Sequence, residues 1–565
     1  MRDVPVGFGV LDYIIFSAIL IISTLIGVYL LFFGEKQSKD LYLLGGRQMK
    51  PIPVALSLIA SKVSAILLIA IPTDVYRYGS DLVCMMVCVV IAVVLNRIVF
   101  LPIFFELQIT SMYEYLNLRF NKSVQVFGSF LFTLSIFLFN PLVLYLPSLA
   151  FAQGTENKNK FDYVKKQILV SGMEINTVIP IVCAVCIFYT TIGGMTAVVM
   201  ADVFQVICIL ICVTVYFVLG LMSVGGITDV VKHSVAGERL SLEFGWDPTL
   251  RVSVWSMLIG GSFHNLPLFA LHQDLVQKYL SLPQLSACTK TSIVYCIGFN
   301  ILFAMSILMG NIIYTRYRNC DPLTAKEITN PDEIVPYFIR DIAGHIPGFP
   351  GIFIGGLFSA ALSTLAGHLN TIAATVYEDM ISNFVQEDIS TVKINLILKC
   401  IVIVTGLCST GLIYAYEYVE GAFTVMVIIQ GTVNGPLVAL FICGMFFPEI
   451  NAKGALIGSI VGLIFSTWLA IGNFIYRSRG LIVYRPKPVS VEQCFPPVNV
   501  TLQQKPSYQP FYMYRLSTWY YLLMCLIISL TTARFISYLT TKDKPVSKNL
   551  LSRCVHYTPP EPEST

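Results

Sequence analysis

A chain of 565 residues that is 56% hydrophobic and only 12% charged, with a mean hydropathy of +0.73, is too apolar to be a soluble globular protein. Its net charge of +4 is small and spread over loops, which excludes the basic face of a nucleic-acid-binding protein. The sequence contains no P-loop, no spaced set of cysteine and histidine ligands and no nucleophile–base pair in a soluble domain, so it reads as neither an enzyme nor a cofactor carrier. Long apolar runs recur from end to end, as in an all-α polytopic bundle in a lipid bilayer.

Windows of about 20 apolar residues place thirteen spans near 10–33, 52–76, 82–105, 126–151, 176–192, 197–223, 252–271, 289–314, 349–379, 395–416, 421–446, 454–476 and 513–538. Lys36, Lys39, Arg47 and Lys50 follow the first span, and Lys542, Lys544, Lys548 and Arg553 follow the last. Both groups are expected in the cytoplasm, which puts the N-terminus outside and the C-terminus inside. Lys158, Lys160, Lys165 and Lys166 then fall in an external loop, against the usual bias. No charged segment with a cleavage site precedes the first span, so it is read as retained.

The sequon at Asn499 lies in the external 477–512 segment and is a candidate glycan acceptor, whereas the one at Asn121 lies inside. SMYEYLNLRF, beside Asn121, reads as an amphipathic helix on the inner surface. The 541–565 tail, ending YTPPEPEST, has little to bury and is expected to be disordered. Of the fifteen cysteines, most lie inside apolar runs as small hydrophobes. Cys320 and Cys494 lie in external loops, where a bond between them is open.

Two spans are poorly made for crossing lipid. Ala55–Gly79 carries Ser57, Ser61, Lys62 and Ser64 near its middle, where polar groups must face protein or a wet cavity. A lysine at that depth costs roughly 2.5 kcal/mol or more and marks a functional site. Interrupted helices of this kind hold ions and substrate in transporters built from inverted repeats. Gly348–Asp379 places Ala360, Ser363 and Thr364 at offsets of zero, three and four, so one carbonyl and two hydroxyls share a helix face. Such neutral oxygens suit sodium, a hard cation. The same hydroxyls could instead bond back to the preceding turn.

Four blocks in order carry a family resemblance: SLIASKVSAILLIAIPTDVYRYG, YTTIGGMTAVVMADVFQ (Tyr189–Gln205), HQDLVQKYLS (His272–Ser281), and DEIVPYF followed by PGFPGIFIGGLFSAALST. With them the chain resembles the sodium:solute symporters, the carriers of glucose, iodide, monocarboxylates and multivitamins, from about residue 8 to 540. It is most similar to the monocarboxylate, multivitamin and iodide branch. The resemblance implies a LeuT-like core of ten helices in two inverted repeats, about 52–223 and 252–446, within a transmembrane domain of residues 1–540. It implies a sodium site between the second and ninth spans, formed by the carbonyls of Ala60, Val63 and Ala360 and the hydroxyls of Ser363 and Thr364. Asp202 matches an acidic residue kept near the sodium exit, or is a plain helix-start carboxylate.

By the same resemblance, substrate would lie beside sodium at the midplane, lined by Ser64, Ile66, Leu67, Asn265, Leu268 and Phe269. Sugar carriers place polar side chains where Ile66 and Leu67 stand. Two aliphatics there disfavour a sugar, whose unmet hydroxyls lose affinity on desolvation, and suit a substrate with an apolar body. His272 stands where relatives carry asparagine, as a packed neutral ring or a pH sensor. Lys62 stands where relatives are uncharged, and three readings remain open. It holds a substrate carboxylate, it replaces sodium by pairing with Asp202, or it packs its stem and solvates its head.

The function expected is sodium-coupled symport of a small organic anion across the plasma membrane, a monocarboxylate or a vitamin-like carboxylate such as biotin or pantothenate. The rivals are a sodium-independent uniporter or exchanger of the same fold and a non-transporting sensor or channel. A channel would want a continuous polar stripe, and a sensor a sizeable soluble domain.

Overall fold

The computed structural model describes residues 9–33, 44–152, 175–382, 390–416, 421–494, 509–540 and 546–555, and within them every regular element is helical. The main helices are α1 (Val10–Phe33), α2 (Pro51–Lys62), α3 (Ile66–Tyr78), α4 (Asp81–Leu107), α5 (Lys122–Ala152), α6 (Ile175–Ser223), α7 (256–269) and α8 (Gln273–Leu280). They continue with α9 (Leu285–Tyr317), α10 (Phe349–Ile381), α11 (Thr391–Tyr416), α12 (Ala422–Phe446), α13 (Ala452–Ser478) and α14 (Thr518–Leu539).

Among the described residues nine helices are long and apolar enough to cross a membrane, or ten if the bent pair α2 and α3 is one span. The windows 176–192 and 197–223 run together in α6, a single helical run of 49 residues. At about 1.5 Å per residue that is more than twice the ~30 Å of a hydrocarbon core, enough helix for two crossings.

Burial sorts the helices. In α10, 89% of the apolar window is enclosed, against 28% in α11 and 33% in the Thr196–Ser223 part of α6. The outer helices turn apolar stripes outward, such as Ile293, Val294, Ile297 and Ile301 on α9. That pattern suits a lipid surround. The inner helix is small-residue-rich because its neighbours come close. A Cβ added at Gly356 would meet the Cys212 Cβ of α6 at 2.3 Å, and one at Gly355 would meet Ile19 of α1 at 2.4 Å.

Three loop expectations change. SMYEYLNLRF packs one face into the bundle and leaves Asn117 and Leu118 exposed: Met112, Tyr113, Tyr115 and Leu116 are buried, and the Arg119 guanidinium donates to the carbonyls of Gly444 (3.0 Å) and Ile450 (3.1 Å). Gly444 lies in the last turn of α12, where carbonyls lack intrahelical partners, and the arginine supplies one. The 541–565 tail is not wholly free either. Ser552 N–H donates to Met445 O at 2.9 Å and Tyr115 Oη to Leu550 O at 2.9 Å, so residues 548–552 are seated on the bundle. Apolar Leu550 and Leu551 supply that contact, and YTPPEPEST lies outside the described residues. Cys320 and Cys494 are bonded, with Cα atoms 5.0 Å apart. The linkage is doubled by hydrogen bonds from Asp321 N–H to Ser490 O (3.0 Å) and from Gln493 N–H to Asn319 O (3.1 Å).

Asn121 accepts from Val124 N–H at 3.1 Å, which caps α5. Asn499 and the loops carrying Lys36, Lys39 and Lys158–Lys166 lie outside the described residues.

Candidate functional site

Two helices break inside the bundle. Pro51, with φ preset for a first turn, starts α2. The helix stops at Lys62 because Val63 leaves the helical region (φ −87°, ψ 89°), although its N–H still reaches Ile59 O at 2.9 Å. The chain resumes as a wide π-type turn over Ile66–Ala70 ahead of Pro72, which has no N–H to give, and the axis bends by 58°.

The second break is not in the polar span 349–379, which stays helical throughout. It separates α7 from α8, where sequence reading ended a span at 271 and saw only a loop beyond. Ala270 and the extended His272 (φ −110°, ψ 130°) interrupt the helix, and His272 O accepts from Leu275 and Val276 at 3.1 and 3.0 Å. In α8, Asp274 lies in the first turn and Lys278 in the last, each matched to its end of the helix dipole and both on one face.

These breaks bring two buried ion pairs together. Lys278 Nζ lies 3.0 Å from Asp202 Oδ2 and 3.2 Å from Ser57 O, and also contacts Ser61 Oγ. Asp202 accepts from Ser57 Oγ and from Ser363 Oγ, each at 2.5 Å. Thr364 Oγ1 is placed 3.0 Å from Ala360 O and 3.1 Å from Ser61 O, so it links α10 to the end of α2. The second pair is Lys62 Nζ with Asp274, at 3.0 and 3.1 Å from its two oxygens. His272 Nδ1 also touches Asp274 Oδ1. Neither lysine nor either aspartate is more than 2% exposed. Charges so deep hold only because each meets its counter-charge and further hydrogen bonds.

Sequence reading is thereby amended. Lys62 pairs with Asp274 and not with Asp202, and its head is not solvated. Asp202 lies within hydrogen-bond reach of Ser363, inside the expected ion cluster. Asp274 and Lys278 were missed because α8 was read as a loop. Their four-residue spacing inside HQDLVQKYLS was the available signal. The five residues expected at sodium, Ala60, Val63, Ala360, Ser363 and Thr364, are all buried where α2 meets α10. Carbonyls, hydroxyls and one carboxylate in a dry interior fit a hard monovalent cation.

The expected substrate residues separate. Ser64 Oγ accepts from Ile66 N–H at 3.3 Å, and Ile66 and Leu67 are buried beside the first break. Asn265 donates to Gly261 O at 2.8 Å, and its buried Oδ1 has no partner among the described residues. Leu268 is half-buried. Phe269 is buried, its ring 5.0 Å from Phe299 and 6.0 Å from Tyr295 of α9.

The profile of the sodium:solute symporter family matches residues 42–462. The chain is 36% identical over 494 residues to Sodium-coupled monocarboxylate transporter 1 of Xenopus laevis, covering 86% of this chain and 76% of that one. It is 32% identical over 554 residues to Sodium-coupled monocarboxylate transporter 2 of Mus musculus (95% and 85%). It is also 32% identical over 476 residues to the Sodium/iodide cotransporter of Homo sapiens (83% and 71%). Its fold matches that of a solved Na+-coupled sialic acid symporter in a substrate-bound outward-open state, with a TM-score of 0.74, 21% identity and coverage of 95% and 100%. These relatives are transporters and not enzymes, and the apolar helices make this chain a multi-pass plasma-membrane protein. The chain belongs to the sodium:solute symporter family.

Proposed function

We propose that this symporter couples sodium entry to the uptake of a small monocarboxylate by alternating access, with repeats 52–223 and 252–446 moving about the two helix breaks. The observation that carries the reading is the convergence of α2, α6 and α10 on one buried cluster of oxygens, Ser57, Ser61, Asp202, Ser363 and Thr364, which α8 joins through the Lys278 ammonium. Irregular backbone at membrane depth is tolerated where it serves a site. Ala60, Val63 and Ala360 would add carbonyls to the sodium shell. Ser64, Ile66, Leu67, Asn265 and Leu268 would face the substrate. The aliphatic pair Ile66 and Leu67 favours a short or branched carboxylate, in line with the relatives named for monocarboxylates.

A second reading has one observation behind it. The Lys278 ammonium already holds Asp202 at 3.0 Å, so a sodium-independent exchanger would use that lysine as its cation. Uptake of labelled lactate, pyruvate, butyrate, biotin and pantothenate by expressing cells, with sodium or with choline, separates the two. Uptake of a monocarboxylate that falls to background in choline is expected. Equal uptake in both media would establish a sodium-independent carrier.

Thirteen crossings with an external N-terminus fit the Cys320–Cys494 bond, since disulfides form in oxidising surroundings. In that topology Asn499→Gln removes a glycan shift on a gel and Asn121→Gln leaves the mobility unchanged. A shift lost with Asn121 would invert the assignment.

A further inference from the structure

A cluster that the sodium-coupled reading does not use sits between the two breaks. His272 from the interruption, Asp274 from the first turn of α8 and His368 from α10 present one ligand atom each, and all of these lie within 4.8 Å of one another. All three residues are buried. Asn140 Oδ1 lies 2.6 Å from His368 Nδ1 and fixes that ring. The His272 and His368 rings are 5.5 Å apart between centroids, and Phe132 backs His272 at 5.1 Å. Two imidazoles, one carboxylate and an orienting amide form the ligand set of a first-row divalent cation.

A cation is already there, and it is covalently attached. Lys62 Nζ lies 3.0 and 3.1 Å from the two Asp274 oxygens. The lysine comes from the last turn of α2, so the pair joins one helix break to the other. Lys62 and Asp274 together are neutral, and a free ion entering beside them would meet the ammonium.

We infer that His272, Asp274 and His368 form a cation site whose resident is the Lys62 ammonium, and that neutralising the lysine opens the site to a divalent transition metal. The tether has a use in a sodium-driven carrier. It keeps free cations out of the gap between the two breaks. The inference does not depend on which solute is carried or on whether sodium drives it.

The test uses the purified full chain, with Co²⁺ as the probe and visible absorption and thermal unfolding as the readouts. Lys62→Met keeps the stem and removes the charge. The repulsion between an ammonium and an ion about 4 Å away, at an effective dielectric of 20, is worth roughly a thousandfold in affinity for each unit of charge on the ion. Lys62→Met is therefore expected to bind one Co²⁺ at least about a thousandfold more tightly than the wild type. Its d–d bands and its thermal stabilisation by Co²⁺ should be absent from the wild type. Adding His368→Ala should abolish the binding, and adding Asn140→Ala should weaken it about tenfold or more. Equal Co²⁺ affinity in wild type and Lys62→Met would overturn the inference, as would binding indifferent to His368→Ala. Lys62→Met leaves Asp274 buried without its counter-ion, so its fold is checked against the neutral pair Lys62→Met/Asp274→Asn. Rescue of Lys62→Met by Co²⁺ during purification supports the site. Failure to purify even with Co²⁺, while the neutral pair purifies, contradicts it.

Discussion

Replacing Ser363 and Thr364 together with alanine is expected to abolish sodium-dependent uptake while the protein still reaches the cell surface. Ser363 Oγ lies 2.5 Å from Asp202, and Thr364 Oγ1 spans Ala360 O and Ser61 O where α10 meets α2. Alanine is the best helix former and fits the surrounding α10 sequence, so the helix itself loses little. The ion shell loses two oxygens. At about 1–3 kcal/mol for each buried partner removed, the sum is roughly 2–6 kcal/mol, or between one and four decades of sodium affinity. The sodium concentration that gives half-maximal uptake measures this, with surface biotinylation as the control for expression. An unchanged half-maximal concentration would remove both residues from the ion site.

Asp202→Asn is expected to reduce stability strongly. Lys278 is 1% exposed and Asp202 is its ionic partner. Removing one member of a buried pair leaves an uncompensated charge and typically costs about 3–5 kcal/mol. The amide also replaces an acceptor for two serine hydroxyls by a group that is half donor. Low surface abundance and a lowered unfolding temperature should follow. The neutral pair Asp202→Asn/Lys278→Met should recover most of the fold but not the transport, since the carboxylate at the ion cluster is still missing. A single mutant as stable as the wild type would mean that the pair contributes nothing.

Sequence reading reached the bundle and the first break because both are written in one-dimensional signals. Lengths of apolar run give spans, and Ser57, Ser61, Lys62 and Ser64 in one run announce a helix that cannot face lipid. The second break was illegible for the opposite reason. Its inner half, QDLVQKYL, is only 8 residues long and rich in polar side chains, so hydropathy reports a loop. What makes it a buried helix is pairing across the fold, Asp274 with Lys62 and Lys278 with Asp202. The partners lie 212 and 76 residues away. Lys62 was singled out correctly as anomalous, but the carboxylate that answers it could not be chosen from sequence. Arg119 shows the same limit: an amphipathic pattern says that one face is apolar, not whether lipid or protein covers it.

Symport is separated from exchange and from facilitated passage by accumulation against a gradient. The purified chain is reconstituted in liposomes, an inward sodium gradient is imposed, and labelled monocarboxylate inside is followed over time. Sodium-coupled symport predicts a transient overshoot above the external concentration that collapses when a sodium ionophore dissipates the gradient. Equilibration to the external concentration, at the same rate with and without the gradient, would contradict it.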